Sequence, residues 1–199
     1  MVDGLRERKK TATRRAISDA ATGLFMAKGF DNTSVAEIAE VVGVSPQTVL
    51  NYFPAKTDLF FDEKDWYDGP PQAVRDRRGR TSPATAVRDW YLTDLQRRHG
   101  EGHLDGLAVY VQTIADSATL RRRRLDDLAA LTGALHAALD DTPPDCSVWE
   151  RQLSAAMLTS AIMVAESETA RLSRTLAGAD LLAAAQTAAT SIFKRAQRP

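Results

Sequence analysis

The stretch Gly43–Lys56, GVSPQTVLNYFPAK, constrains what this chain can fold into more tightly than any other. Ser45-Pro46 marks a helix start. The serine hydroxyl can accept from the first turn, and proline suits the first helical position because its missing N–H would be unpaired there anyway. Val49 and Phe53 lie one turn apart and can anchor the helix inward. That orientation turns Pro46, Gln47 and Leu50 to one outer face, with Thr48, Asn51 and Tyr52 at its margins. A helix that only packs has no use for such a face, whereas one that enters a DNA groove does.

The residues before it complete a pattern. From Thr11, the apolar residues Ile17, Ala20, Ala21, Leu24 and Phe25 recur at spacings of three and four, which predicts an amphipathic helix ended by Gly29. Ser34 and Glu37 stand in capping-box spacing, so a second helix starts at Thr33 or Ser34 and buries Val35, Ile38, Ala39 and Val42. Gly43 then turns the chain, and Val44 fills the space between the second and third helices. Two short helices joined by a glycine turn form helix-turn-helix geometry, with the second of them in the major groove.

Charge placement agrees with this. The formal net charge is zero, yet Arg6, Arg8, Lys9, Lys10, Arg14 and Arg15 cluster beside only Asp3 and Glu7, which makes a basic N-terminal arm. On the third helix, Gln47 can bond a base edge, adenine being the natural partner of an amide, and Pro46 and Leu50 can touch thymine methyl groups. Thr48, Asn51, Tyr52 and Lys56 are placed for phosphates, as are Thr33 and Ser34 at a helix N-terminus. Arg14 and Ser45 complete the expected DNA-binding set.

The run TSVAEIAEVVGVSPQTVLNYFPAKTDLF, preceded by LFMAKGF, resembles the DNA-binding region of the TetR/AcrR family of bacterial transcriptional regulators, over roughly Arg14 to Phe60. The resemblance implies an all-α chain of about nine helices. A three-helix DNA-binding domain (residues 1–67) would precede a helical ligand-binding and dimerisation domain (68–199). It further implies a homodimer on a palindromic operator, and a small-molecule effector that shifts the fourth helix and most often relieves repression. Many members carry tyrosine where this chain has Leu50, so the base preference of relatives does not transfer.

Beyond Asp68 the sequence is less specific. DGPPQAVRDRRGRTSP, with paired prolines and dense charge, is expected to break the chain between the fourth and fifth helices. Val87, Trp90, Tyr91 and Leu95 give the next helix a face, and Leu104, Leu107, Val111 and Ile114 the one after. In LRRRRLDDLAALTGALHAALDD, the stripe Leu125, Leu128, Thr132, Leu135 and Leu139 is expected inside, and the arginines outside, paired locally with Asp126 and Asp127. Two terminal helices, Val148 to about Leu172 and the one after Gly178, are apolar over more than one face. Close packing against a second subunit is expected there through Leu158, Ile162, Ala165, Leu181, Ala185, Ala188 and Ile192. The pocket candidates combine apolar bulk with a polar handle, namely Trp90, Tyr91, Tyr110, Gln112, Trp149, Met157 and Thr159, and imply a moderately apolar ligand.

Other function classes find little support. His99 and His103 are separated by Gly100 and Gly102, which argues against a helical zinc site, and no nucleophile motif or phosphate loop is present. No metal, cofactor or enzymatic activity is therefore expected. Cys146, the single cysteine, excludes an internal disulfide and suits a reducing cytoplasm, which the resemblance implies is bacterial. No apolar run approaches the roughly 18 residues of a membrane span, and no secretory signal opens the chain. The competing readings are a helical adaptor that binds only protein, and an activator of the same fold without ligand-induced release.

Overall fold

The structure, a computed structural model, describes residues 2–62, 64–141 and 147–196, with the side chains of 2–6, 64 and 65 outside the description. Cys146 lies outside the described residues, as do the side chains of Asp3 and Arg6. The described residues form ten α-helices and no strand: α1 (Val2–Lys28), α2 (Val35–Val42), α3 (Pro46–Tyr52), α4 (Lys56–Phe60), α5 (Lys64–Asp76), α6 (Pro83–Gly100), α7 (Leu107–Asp116), α8 (Ala118–Asp140), α9 (Val148–Leu172) and α10 (Gly178–Arg195). They divide between two compact units, one made of Met1–Glu63 with Thr113–Arg123, the other of Lys64–Gln112 with Arg124–Pro199. The chain therefore re-enters its first unit, which no local sequence pattern announces.

In the first unit α1 is one continuous helix from Val2, so the basic arm begins as helix rather than as an extended tail. Gly29, at φ 84°, ends it. Ile17, Ala21 and Phe25 are buried against Ile38 and Ala39 of α2, Val49 of α3 and Leu59 of α4. Phe25, Phe30 and Phe60 meet with ring centroids 5.1–5.9 Å apart, an aromatic cluster that holds α1 against α4. The re-entrant segment is fastened by polar ties. Buried Ser117 donates its hydroxyl to Asp31 at 2.8 Å, Arg123 reaches Asp58 at 2.9 Å, and Leu120 is fully buried.

The second unit packs α10 against α6 and α9, and α5 against α6. Val87, Tyr91 and Leu95 point into its core as expected, together with Leu131, Leu135 and Leu139 of α8, Leu158 and Ile162 of α9, and Leu181, Ala185 and Phe193 of α10. Its helix starts follow the sequence signals. Ser82 caps α6, accepting from the Thr85 N–H at 3.1 Å ahead of Pro83, and Glu150 reaches back to the Ser147 N–H at 2.6 Å to open α9.

Several expectations are corrected here. Pro70 and Pro71 do not break the chain but lie buried inside α5. Two missing N–H donors weaken a helix, yet burial of both rings and the seat of Trp90 beside Gly69 hold it together. A Cβ on Gly69 would come within 2.1 Å of the Trp90 indole nitrogen. The separate α4 and α5 bring the count to ten. Leu125 is 66% exposed and Leu131 takes its place inside. Arg123 and Arg124 are half-buried and turned toward distant partners, so the arginine run is not simply a solvated face.

The dimer expectation also changes. Leu158, Ile162, Ala165, Leu181 and Ala185 are buried within their own chain, and Ala188 and Ile192 are half-buried. On a helix apolar over most of its circumference, spacing alone does not say which stripe the same chain covers.

Candidate nucleic-acid interface

The candidate reading helix α3 is built as its sequence demands. Ser45 is extended (φ −77°, ψ 152°) and its hydroxyl accepts from the Thr48 N–H at 3.0 Å, with Pro46 in the first turn. Val49 and Phe53 are buried to 0% and 1% exposure. Gly43, at φ 74°, lets the chain reverse between α2 and α3. The N–H groups of Gly43 and Val44 return to the carbonyls of Glu40 and Ala39 at 3.1 and 3.0 Å, closing α2. Val44 is half-buried in the turn.

That frame leaves Pro46, Gln47, Leu50 and Asn51 exposed, with Thr48 and Tyr52 half-buried beside them. The Gln47 amide donates to the Asn51 side-chain oxygen at 3.1 Å. Gln47 keeps one N–H donor and its carbonyl acceptor for another partner, which is the complement of the adenine major-groove edge. Leu50, 36% exposed, presents plain hydrocarbon between these polar groups.

Three residues of the expected DNA-binding set are engaged inside the fold. Thr33 is 2% exposed and donates its hydroxyl to the Gly29 carbonyl at 2.9 Å. Lys56 donates to the carbonyls of Phe30 and Thr33, both at 2.8 Å, with its ammonium 4.1 Å from the Phe30 ring centroid. Burial lowers the Lys56 pKa against the opposing pull of Asp31 and Glu37. Arg14 donates to the Tyr52 carbonyl at 3.2 Å and lies 4.1 Å over the Phe53 ring, so it steadies the end of α3 from α1. Of these two cations Arg14 orients the outward-facing helix, whereas Lys56 fastens the start of α4 to the turn before α2. Arg8, Lys9, Lys10 and Arg15 remain exposed along α1.

The α2 N-terminus is charged and tied. Ser34 exchanges hydrogen bonds with Glu37, accepting from its N–H at 3.2 Å while the Glu37 carboxylate accepts from the Ser34 N–H at 2.7 Å. Lys28 pairs with the same carboxylate. Lys28, then the Ser34 N–H and hydroxyl, hold the Glu37 carboxyl down at about 2.

Of the expected pocket residues, Tyr91 is fully buried and donates its hydroxyl to Glu166 at 3.0 Å, while Trp149 is 63% exposed. Thr159 is buried, its hydroxyl bonded to the Ala155 carbonyl at 3.1 Å. Trp90, Tyr110 and Met157 are half-buried and Gln112 is exposed. Their burial thus ranges from complete at Tyr91 to largely exposed at Trp149. The second unit instead holds a buried charged cluster, Asp94–Arg98–Glu166, with Arg98 2.7 Å from each carboxylate and the Trp66 indole N–H donating to Asp94 at 2.9 Å. The Asp94/Arg98 spacing of four was the available signal. The link to Glu166 was not legible, because it joins helices far apart in the chain.

The family profile described as "Bacterial regulatory proteins, tetR family" matches residues 17–62, the span that carries the C-terminal part of α1 together with α2, α3 and α4. The chain is also 31% identical over 137 residues to the HTH-type transcriptional regulator TcmR of Streptomyces glaucescens, covering 68% of this chain and 50% of that protein. The chain belongs to the tetR family. It spans about half the length of the curated relatives it matches. The fold is similar to that of NalD, the secondary repressor of the MexAB-OprM multidrug efflux pump in Pseudomonas aeruginosa, with a TM-score of 0.63 at 19% identity over 96% of each chain. It is also similar to that of the repressor FadR of Thermus thermophilus in complex with lauroyl-CoA, with a TM-score of 0.51 at 21% identity over 90% of this chain and 92% of that one.

Proposed function

We propose that this chain is a sequence-specific DNA-binding regulator of transcription, acting as a homodimer on a palindromic operator and as a repressor released by a small-molecule effector. The observation that carries the reading is the outer face of α3. Pro46, Gln47 and Leu50 stand exposed on a helix held in place by the Ser45 cap, the buried Val49 and Phe53, and Arg14 at its end. A protein-only adaptor leaves that arrangement without a task.

The dimer rests on α9. Trp149, Leu153, Ala156, Ser160, Met163 and Ser167 are all exposed and follow one another at spacings of three and four, an uncovered stripe of large apolar and small side chains. On α10, the exposed Ala183, Thr187 and Thr190 permit close approach. A second copy meeting this face about a two-fold axis makes a symmetric dimer, and a symmetric reader calls for a palindromic operator. The effector must prefer the conformation that fits DNA poorly, and the coupling is reciprocal. The lauroyl-CoA complex of a protein with this fold supports a small-molecule effector.

Selection of bound sequences from random DNA at near-physiological salt tests the reading. Enrichment of a palindrome is expected, and no enrichment by a protein that is dimeric in light scattering would overturn it.

A further inference from the structure

In the second unit two guanidinium groups lie beside one indole and are served very differently. The Cζ atoms of Arg98 and Arg124 are 5.8 and 5.7 Å from the Trp66 ring centroid. Arg98 is saturated by carboxylates, donating to Asp94 at 2.7 Å and to Glu166 at 2.7 and 3.4 Å. Arg124 donates a single hydrogen bond among the described residues, to the Tyr67 hydroxyl at 2.6 Å, and no carboxylate of the described residues forms an ion pair with it. It is half-buried, with the Tyr67 ring centroid 5.8 Å from its Cζ.

A guanidinium offers five N–H donors in a planar fork, and those of Arg124 that Tyr67 leaves over stay open to an incoming acceptor, none of them being a buried unpartnered atom. A structural arginine would be expected to look like Arg98. The acidic groups that act on this region are Glu166 and Asp127. Glu166 already accepts from both Arg98 and the Tyr91 hydroxyl, so its charge is largely committed elsewhere.

We propose that Arg124 anchors a binding site for an amphipathic organic anion, a carboxylate carried on an aromatic or long aliphatic body. The fork of free donors fits a carboxylate edge in two-point contact, and the rings of Trp66 and Tyr67 beside it supply apolar surface for the body. The inference rests on the reading of this chain as effector-responsive. It replaces the moderately apolar ligand expected from sequence with a charged one.

The test uses the full chain and defined probes: benzoate, 1-naphthoate and decanoate, each against its neutral amide at constant ionic strength, read by thermal melting and calorimetry. At least one carboxylate is expected to raise the melting temperature by several degrees while its amide does not. Arg124→Met should abolish that response and Arg124→Lys should keep part of it. Without probe, Arg124→Met should melt at or above the parent temperature, whereas Arg98→Met should melt well below it. Equal response to acid and amide, response to none of the acids, or a response retained in Arg124→Met would overturn the site. So would a loss of stability in Arg124→Met as large as in Arg98→Met. DNA selection is scored separately. A carboxylate response without DNA enrichment would uphold the anion site and defeat the regulator reading, and the reverse result would do the opposite.

Discussion

The Lys56 ammonium lies 2.8 Å from the carbonyl oxygen of Thr33, tying the start of α4 to the turn that precedes α2. With the equal bond to the Phe30 carbonyl and the contact to the Phe30 ring, this lysine acts as an internal fastener. Lys56→Met should destabilise the first unit by on the order of 2 kcal/mol, because a charged donor is removed from two carbonyls. DNA affinity should then fall on every sequence alongside the melting transition. Lost affinity with unchanged urea unfolding would return Lys56 to the role of a phosphate contact.

Gln47 should read one base position. Gln47→Ala is expected to relax preference there, at about 1–3 kcal/mol per half-site if the contact is bidentate. Competition binding with single-base operator variants checks this, and an equal loss on all variants would exclude base reading by Gln47.

Subunit association should fail when charge is placed on the exposed stripe of α9. Leu153 and Met163 are 47% and 41% exposed in the single chain, so an aspartate at either site costs the monomer little. Leu153→Asp or Met163→Asp should shift the mass seen by light scattering from dimer to monomer with the helical signal intact. A dimer that survives both changes would place the interface elsewhere.

Gly69 should tolerate no side chain. The added methyl of Gly69→Ala would collide with the Trp90 indole, and overpacking of this kind costs about 1–3 kcal/mol. Near-ultraviolet dichroism should report the displaced tryptophan, and an unchanged spectrum with unchanged melting would show that α5 yields easily.

The Glu37 carboxyl makes stability depend on pH in a known direction. Its value falls from the ordinary 4.5 to about 2, chiefly through Lys28 and then the Ser34 groups. Folding therefore favours the ionised form: the contribution is complete above about pH 4.5 and is lost as pH falls toward 2. Thermal melts across that range should show a shallower decline for Glu37→Gln than for the parent. Identical pH profiles would mean the pairing adds nothing measurable.

The local signals were legible wherever one residue governs its own neighbourhood. Ser34 with Glu37, Ser45 with Pro46, and Ser82 with Pro83 mark helix starts because a cap is settled within a few residues of chain. Gly29 and Gly43 mark reversals because their positive φ suits glycine. Val49 and Phe53, one turn apart, already oriented α3 and thereby its outward face. The prolines of α5 misled for the complementary reason: Pro70 and Pro71 are poor helix residues in isolation, and only burial of their rings overrides that preference.

The sequence by itself therefore determined the helical class, the boundaries of the reading helix and the identity of its exposed residues. Only the tertiary structure decided how the charges are used. Arg14 and Lys56 brace α3 and α4, Arg98 joins Asp94 to Glu166, and Arg124 is left with donors to spare. It also decided which stripe of α9 is covered by its own chain and which stays bare. The physical reason is range. Caps, turns and helical periodicity act over one or two turns, whereas the partner of a long charged side chain, or the neighbour that covers an apolar face, is chosen by packing between segments far apart in sequence.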